Sequence, residues 1–198
     1  MTISNECASW AKNDPVLLRY HDEEWCRPCR DEHLLFELLC LEGASTGLSW
    51  GTILHKRQAY REAFCGFDPL KCAALDDVYL ESQLANPGII RCRRKIFSVR
   101  RNAEAFLKTA AEKGSFYNYL WSFTGGTPIS GGWAGLNQMP AKTVLSEKIA
   151  KDLKKRGFLF TGPVITYSYL QAAGIVNDHL ASCPCFAEIA GFKTADSQ

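Results

Sequence analysis

Leu153-Lys-Lys-Arg-Gly-Phe-Leu-Phe-Thr-Gly-Pro-Val-Ile-Thr166 is the stretch from which the fold can be read most directly. Gly157 supplies the positive φ that ends a helix running over Ser146 to Lys155. Pro163 suits the first turn of a second helix over Val164 to Ala173: its φ is already helical, and its missing N–H would have no intrahelical partner there. Gly162 lets another backbone come close. The pattern predicts two helices joined by a tight hairpin across roughly residues 146–173. Free N–H groups at the second helix start can hold a phosphate, with Lys154, Lys155 and Arg156 beside them. An ordinary helix–helix turn with a solvated basic cap fits the same pattern equally well.

Outward from this hairpin the texture stays helical. Asp31 to Leu41 opens with acids, as a helix N-terminus should, and carries Leu34, Leu35, Phe36, Leu38, Leu39 and Leu41. Further helices are predicted over Trp50 to Phe64, Asp76 to Ala85 (after an Asp68-Pro69 turn), Arg94 to Lys108 and Phe116 to Phe123. No stretch alternates apolar and polar residues for long, so strands are not expected. Thr124 to Lys142, rich in glycine and proline, reads as a long surface connector, and Phe192 to Gln198 as a frayed end. The predicted fold class is all-α, with residues 1–198 forming one domain.

Composition narrows the function classes. Hydrophobic residues make up 46% and charged residues 22% of the chain, as in soluble globular proteins. No run approaches the roughly 20 apolar residues that span a bilayer, and Met1 to Asp14 lacks a signal-peptide apolar region. A cytoplasmic protein is expected. In that reducing compartment nine cysteines are metal ligands or buried filler, not a disulfide framework. The net charge is only +2, so nucleic-acid binding would need a local basic face. Arg91, Arg93, Arg94, Lys95, Arg100 and Arg101 form such a cluster, or else a solvated helix face.

Two constellations carry chemistry. Cys7 and His21 near the start, and His179 and Cys183 near the end, are zinc-type ligands. If the chain ends meet, they complete a Cys2His2 set. A buried cysteine and a capping histidine also explain them, and Cys26-x2-Cys29 with Cys183-x-Cys185 is a rival set, which as a thiol pair would also suit redox chemistry. Second, Trp10, Tyr20, Trp25, Phe36 and Trp50 crowd the first quarter around Glu42. A carboxylate among aromatic rings suits a flat cationic ring, held by its faces through stacking and by its edge through the acid. Taken singly, each tryptophan is equally explained as core.

Asp14-Pro-Val-Leu-Leu-Arg-Tyr-His-Asp-Glu-Glu-Trp25, Leu35-Phe-Glu-Leu-Leu-Cys-Leu-Glu-Gly43, Gly47-Leu-Ser-Trp50, Gly88-Ile-Ile-Arg91, Lys154-Lys-Arg-Gly-Phe158 and Val176-Asn-Asp-His179 run in the order found in the DNA-3-methyladenine glycosylase I family, which the chain resembles over nearly its whole length. The resemblance implies an all-α fold of the helix-hairpin-helix glycosylase superfamily, with a structural zinc on Cys7, His21, His179 and Cys183 tying the terminal segments together. It implies excision of 3-methyladenine from alkylated duplex DNA by a monomer, through base flipping. By position, Glu42 is the catalytic carboxylate and joins Tyr20 in hydrogen bonding the base; Trp50 stacks on it, and Trp10 and Trp25 are further walls. Gly47 and Leu48, in an Ala44 to Leu48 loop, approach the gap left by the flipped nucleotide, while Gly162 and Lys155 meet the DNA backbone. The chain departs from the family pattern at Leu17 (usually tyrosine), at Cys26 (usually glycine), in the Ala44-Ser45-Thr46 loop (often glutamine-bearing) and in one extra residue between Cys7 and Trp10. Asn177 stands where many superfamily members carry a catalytic aspartate, so neither it nor Asp178 is assigned that role.

Overall fold

A computed structural model describes residues 6–190. The predicted frayed end, Phe192 to Gln198, lies outside the described residues. After a 3-10 turn at Glu6–Ala11 comes α1 (Pro15–Glu23), whose first turn is set by Pro15 and by the Asp14 carboxylate accepting from the Val16 N–H. Next is α2 (Glu32–Ser45), capped by the Asp31 side chain accepting from Leu34 N–H. Nearly every α2 side chain from Leu35 onward is buried, so it shows no polar face and forms the axis of the molecule.

Four short helices follow: α3 (Trp50–Leu54), α4 (Arg57–Ala63), α5 (Pro69–Ala73) and α6 (Asp77–Ser82). Then come α7 (Arg93–Lys113), α8 (Phe116–Trp121), β1 (Ile129–Ser130), α9 (Val144–Lys155), α10 (Pro163–Ala172), β2 (Val176–Asn177) and α11 (Pro184–Ala190). The main core packs α2 against α7, α8 and α10, with Phe36, Phe106, Phe116 and Leu120 at its centre. A second core gathers Cys7, Leu17, Tyr20, Trp25, Leu180 and Cys183, so the two ends of the described chain meet.

Several local expectations are corrected. Trp50 to Phe64 is not one helix; the chain turns at His55 and Lys56, separating α3 from α4. Asp68-Pro69 starts a helix, because Asp68 caps the N–H groups of Leu70 and Lys71. Ala44 and Ser45 belong to α2, which leaves Thr46 to Ser49 as the loop. The connector contains β1, which pairs in parallel with β2 at Ile129–Val176 and Ser130–Asn177. Two residues per strand are too few for an alternating pattern to register in the sequence.

Candidate active site and metal cluster

Glu42 sits in the last turn of α2 with only 5% of its surface exposed. Burial pushes its carboxyl up to about 8, and the neighbouring Ser45 hydroxyl offsets only part of that. The side chain lines a cavity of about 450 Å³ together with Trp10, Tyr20, Trp25 and Trp50. The aromatic walls brace one another: Trp10 and Trp25 meet edge to face at 5.8 Å, Trp10 and Tyr20 at 6.5 Å, and Tyr20 and Trp50 are tilted at 5.5 Å. The extra residue between Cys7 and Trp10 is absorbed in the 3-10 turn, so Trp10 still reaches the cavity. The buried indole N–H of Trp50 has no acceptor among the described residues. Leu17 does not line this cavity. It packs under Gly51, where an added Cβ would lie 3.2 Å from its side chain, and brings no hydroxyl beneath Trp50.

The rim is the Thr46 to Ser49 loop. Gly47 holds a φ of +77° and Leu48 is 43% exposed; both line the cavity mouth. Lys95, read in the sequence as part of a basic cluster, instead donates to the Ala44 and Thr46 carbonyls at 2.8 Å each and so anchors this loop from α7. The opposite wall was missed in the sequence. It comes from α10, where Val164, Ser168 and Gln171 recur at helical spacing on one face. Ser168 and Gln171, three residues apart on one face of that helix, were the available signal.

Gly157 ends α9 with a φ of +96°, and Pro163 opens α10 as expected. Nothing lies within 4 Å of a Cβ built on Gly162, so this point of close approach faces open space. Asn102 of α7 clamps the hairpin, accepting from the Leu159 N–H at 2.8 Å and donating to its carbonyl at 3.2 Å. Lys151 and Lys154 line the groove beside the hairpin; Lys155 is exposed but outside it. Arg156 is not available to a phosphate, because it is paired with Glu112 and Asp152. In the other basic cluster Arg93 pairs with Glu81 and Arg100 with Asp77. Arg94 and Arg101 share a second cleft of about 280 Å³ with Phe97 and Phe160, across the hairpin from Lys154.

Cys7, His21, His179 and Cys183 are all buried, with ligand atoms within 4.8 Å of one another. Cys7 Sγ and Cys183 Sγ each lie 3.6 Å from His179 Nδ1, and Cys183 Sγ lies 4.0 Å from His21 Nε2. Metal–sulfur bonds of about 2.3 Å and metal–nitrogen bonds of about 2.0 Å at a tetrahedral angle give S···N edges of about 3.6 Å, so the donor set fits a tetrahedral ion. The outer nitrogens are also engaged. His21 Nδ1 meets Asp22 Oδ1 at 2.7 Å and His179 Nε2 meets the Trp25 carbonyl at 3.1 Å, which turns the inner nitrogens toward the thiols. The rival cysteine set does not assemble: Cys26 Sγ accepts from the Asp178 N–H, and Cys29 Sγ donates to the Asp31 carbonyl. Burial pushes the Cys29 thiol up to about 11 and pushes the Cys26 thiol well above its ordinary value, the reverse of a reactive redox pair.

Asn177 and Asp178 are fully buried and neither lines the cavity. Asn177 donates to the Phe186 carbonyl and accepts from His179 N–H.

A family model described as methyladenine glycosylase matches residues 10–187. This chain belongs to the methyladenine glycosylase family. Within the family it is 42% identical to DNA-3-methyladenine glycosylase 1 of Escherichia coli (strain K12) over 181 residues, covering 91% of this chain and 97% of that one. A solved single-residue variant of a 3-methyladenine DNA glycosylase I, in complex with 3-methyladenine, superposes with a TM-score of 0.90 at 37% identity, covering 96% of this chain and all of the other (100%). The Staphylococcus aureus 3-methyladenine DNA glycosylase I gives 0.88 at 39% identity, with 91% and 95% covered. Membership makes the chain a DNA glycosylase, and its helical architecture is the family's.

Proposed function

We propose that this chain hydrolyses the N-glycosidic bond of 3-methyladenine in alkylated duplex DNA, opening base-excision repair, and that it does so as one monomeric domain. The observation that carries this reading is the buried Glu42 carboxylate in a cavity walled by Trp10, Tyr20, Trp25 and Trp50. In DNA, 3-methyladenine is cationic and already a good leaving group. A cavity that stacks it on Trp50 and sets an acid at its edge favours that cation over neutral bases. Flipping the nucleotide out costs a few kcal/mol, less for a damaged base, and stacking returns about 1–3 kcal/mol. Glu42 and the Tyr20 hydroxyl read the base edge. Rate comes from contacts that strengthen as the bond to the sugar lengthens, with water as the final nucleophile.

Gly47 and Leu48 meet the gap in the duplex. The α9–α10 hairpin acts as a helix-hairpin-helix clamp, with Gly162 approaching a phosphate and Lys154 and Lys155 adding charge. Cys7, His21, His179 and Cys183 would hold one structural zinc, whose chemistry is to tie the two chain ends rather than to act on the base. The cytoplasm suits this site, and none of the nine cysteines forms a disulfide.

The deciding experiment is release of free base from methylated duplex DNA by wild type beside Glu42→Ala. We expect 3-methyladenine release from wild type and a loss in the variant that exceeds its loss of DNA affinity. Equal losses in both would remove Glu42 from the chemistry, and no release from wild type would reject the activity.

A further inference from the structure

One wall of the base cavity carries a polar group that the function above leaves unused. Gln171 lines the cavity from α10 and is 9% exposed. Its Nε2 donates to Asp178 Oδ2 at 2.7 Å and faces Met139 Sδ at 3.7 Å, which occupies both amide hydrogens. Asp178 is fully buried and also accepts from Trp133 Nε1 at 2.7 Å and from the Tyr167 hydroxyl. Turning the amide over would set Oε1 against the Asp178 carboxylate oxygen, so the carboxylate fixes its orientation. Gln171 Oε1 has no partner among the described residues, yet it is not among the side-chain atoms sealed from the surface. The accessible space beside this residue is the cavity.

We propose that Gln171 is a specificity residue, presenting Oε1 as a fixed acceptor to the exocyclic amine of the flipped base, and that Asp178 is the residue that positions it. The inference rests on the glycosylase reading and deepens it. Two acceptors then face the cavity, the Glu42 carboxylate and Gln171 Oε1, and an adenine-type amine has two N–H donors to meet them. A guanine-type base carries a carbonyl oxygen at that ring position. Against two acceptors this oxygen is left unpaired and repelled, which is how a buried polar site rejects an analogue of the same size. The cavity therefore selects methylated adenine over methylated guanine by hydrogen-bond sense, while the tryptophans grip either ring.

The test compares single-turnover release of 3-methyladenine and 3-methylguanine from one preparation of methylated duplex DNA. Gln171→Met keeps the size and removes the acceptor. It is expected to slow 3-methyladenine release by about tenfold, the usual value of one neutral hydrogen bond, and to leave 3-methylguanine release unchanged or faster. Asp178→Asn presents an N–H to the amide, which turns over and offers Nε2 to the cavity; the adenine-to-guanine ratio should fall, with guanine release rising. A parallel fall of both rates would overturn the proposal in favour of a packing role. Should either variant fold poorly, wild type is titrated with free 3-methyladenine and with its N6-methylated form. The second must bind about tenfold more weakly, and equal binding refutes the two-acceptor reading. If wild type releases no 3-methyladenine at all, the glycosylase reading itself has failed, a result separate from an unchanged ratio.

Discussion

Replacing Glu42 by Gln should make the protein more stable while disabling it. The carboxyl is buried in the folded chain and titrates at about 8, against 4.5 for an ordinary glutamate. Below the unfolded value both states are protonated and the group contributes nothing adverse. As pH rises from 4.5 the unfolded chain releases its proton while the folded chain keeps it, so stability falls by about 1.4 kcal/mol per pH unit. The loss levels off near the folded value of 8, at about 5 kcal/mol in total. An amide at this position has no proton to lose. Relative to wild type, the variant should show little advantage at pH 4.5 and gain up to about 5 kcal/mol by pH 8.5, a rise in Tm of at least ~10 °C for a chain of this size. Thermal or urea unfolding of both proteins at several pH values reads this directly, since titration of the buried Cys/His cluster is common to both. The same carboxyl must ionise to hold a cationic base, so wild-type kcat/KM on methylated DNA should climb as pH rises toward 8. A stability difference that does not change between pH 5 and 8.5, or a variant less stable at high pH, would refute a buried, desolvated Glu42.

Two further outcomes follow from the remaining geometry. Purified protein should carry close to one zinc per chain by elemental analysis; Cys183→Ser or a strong chelator should remove it and lower Tm, and a metal-free protein with unchanged melting would contradict the structural role assigned to the cluster. Arg94→Ala with Arg101→Ala should weaken DNA binding and lower the salt slope by about one per arginine. Free 3-methyladenine should bind that variant as before, and an unchanged salt slope would mean that the α7 cleft stays off the DNA backbone.

Stability at the cavity is also bounded by Cys26. It holds a φ of +62°, the left-handed conformation that favours glycine, at the position where the family usually has one. Its thiol accepts the Asp178 N–H at 3.3 Å and its own N–H reaches the Gln171 carbonyl at 2.9 Å. The strain is thus offset by contacts to the two residues that orient the far wall of the cavity.

Local chemistry made much of this molecule legible in the sequence. Gly157 and Pro163 define a hairpin because their backbone preferences hold in any context, and Asp31 and Asp14 cap helices through bonds only two or three residues long. Glu42 among tryptophans was visible because a buried acid is costly enough to need a reason. What the sequence alone could not decide was everything that depends on which distant groups meet. Cys7, His21, His179 and Cys183, separated by most of the chain, become one cluster only when the second core closes. Arg156 and Lys95 look like phosphate ligands until Glu112 neutralises the first and the Ala44 and Thr46 carbonyls claim the second. Gln171 is one of several polar residues in α10 until Asp178 fixes which end of its amide faces the base. Charge and hydrogen-bonding capacity belong to a residue, but whether they are spent inside the protein or left for a ligand is settled by tertiary packing.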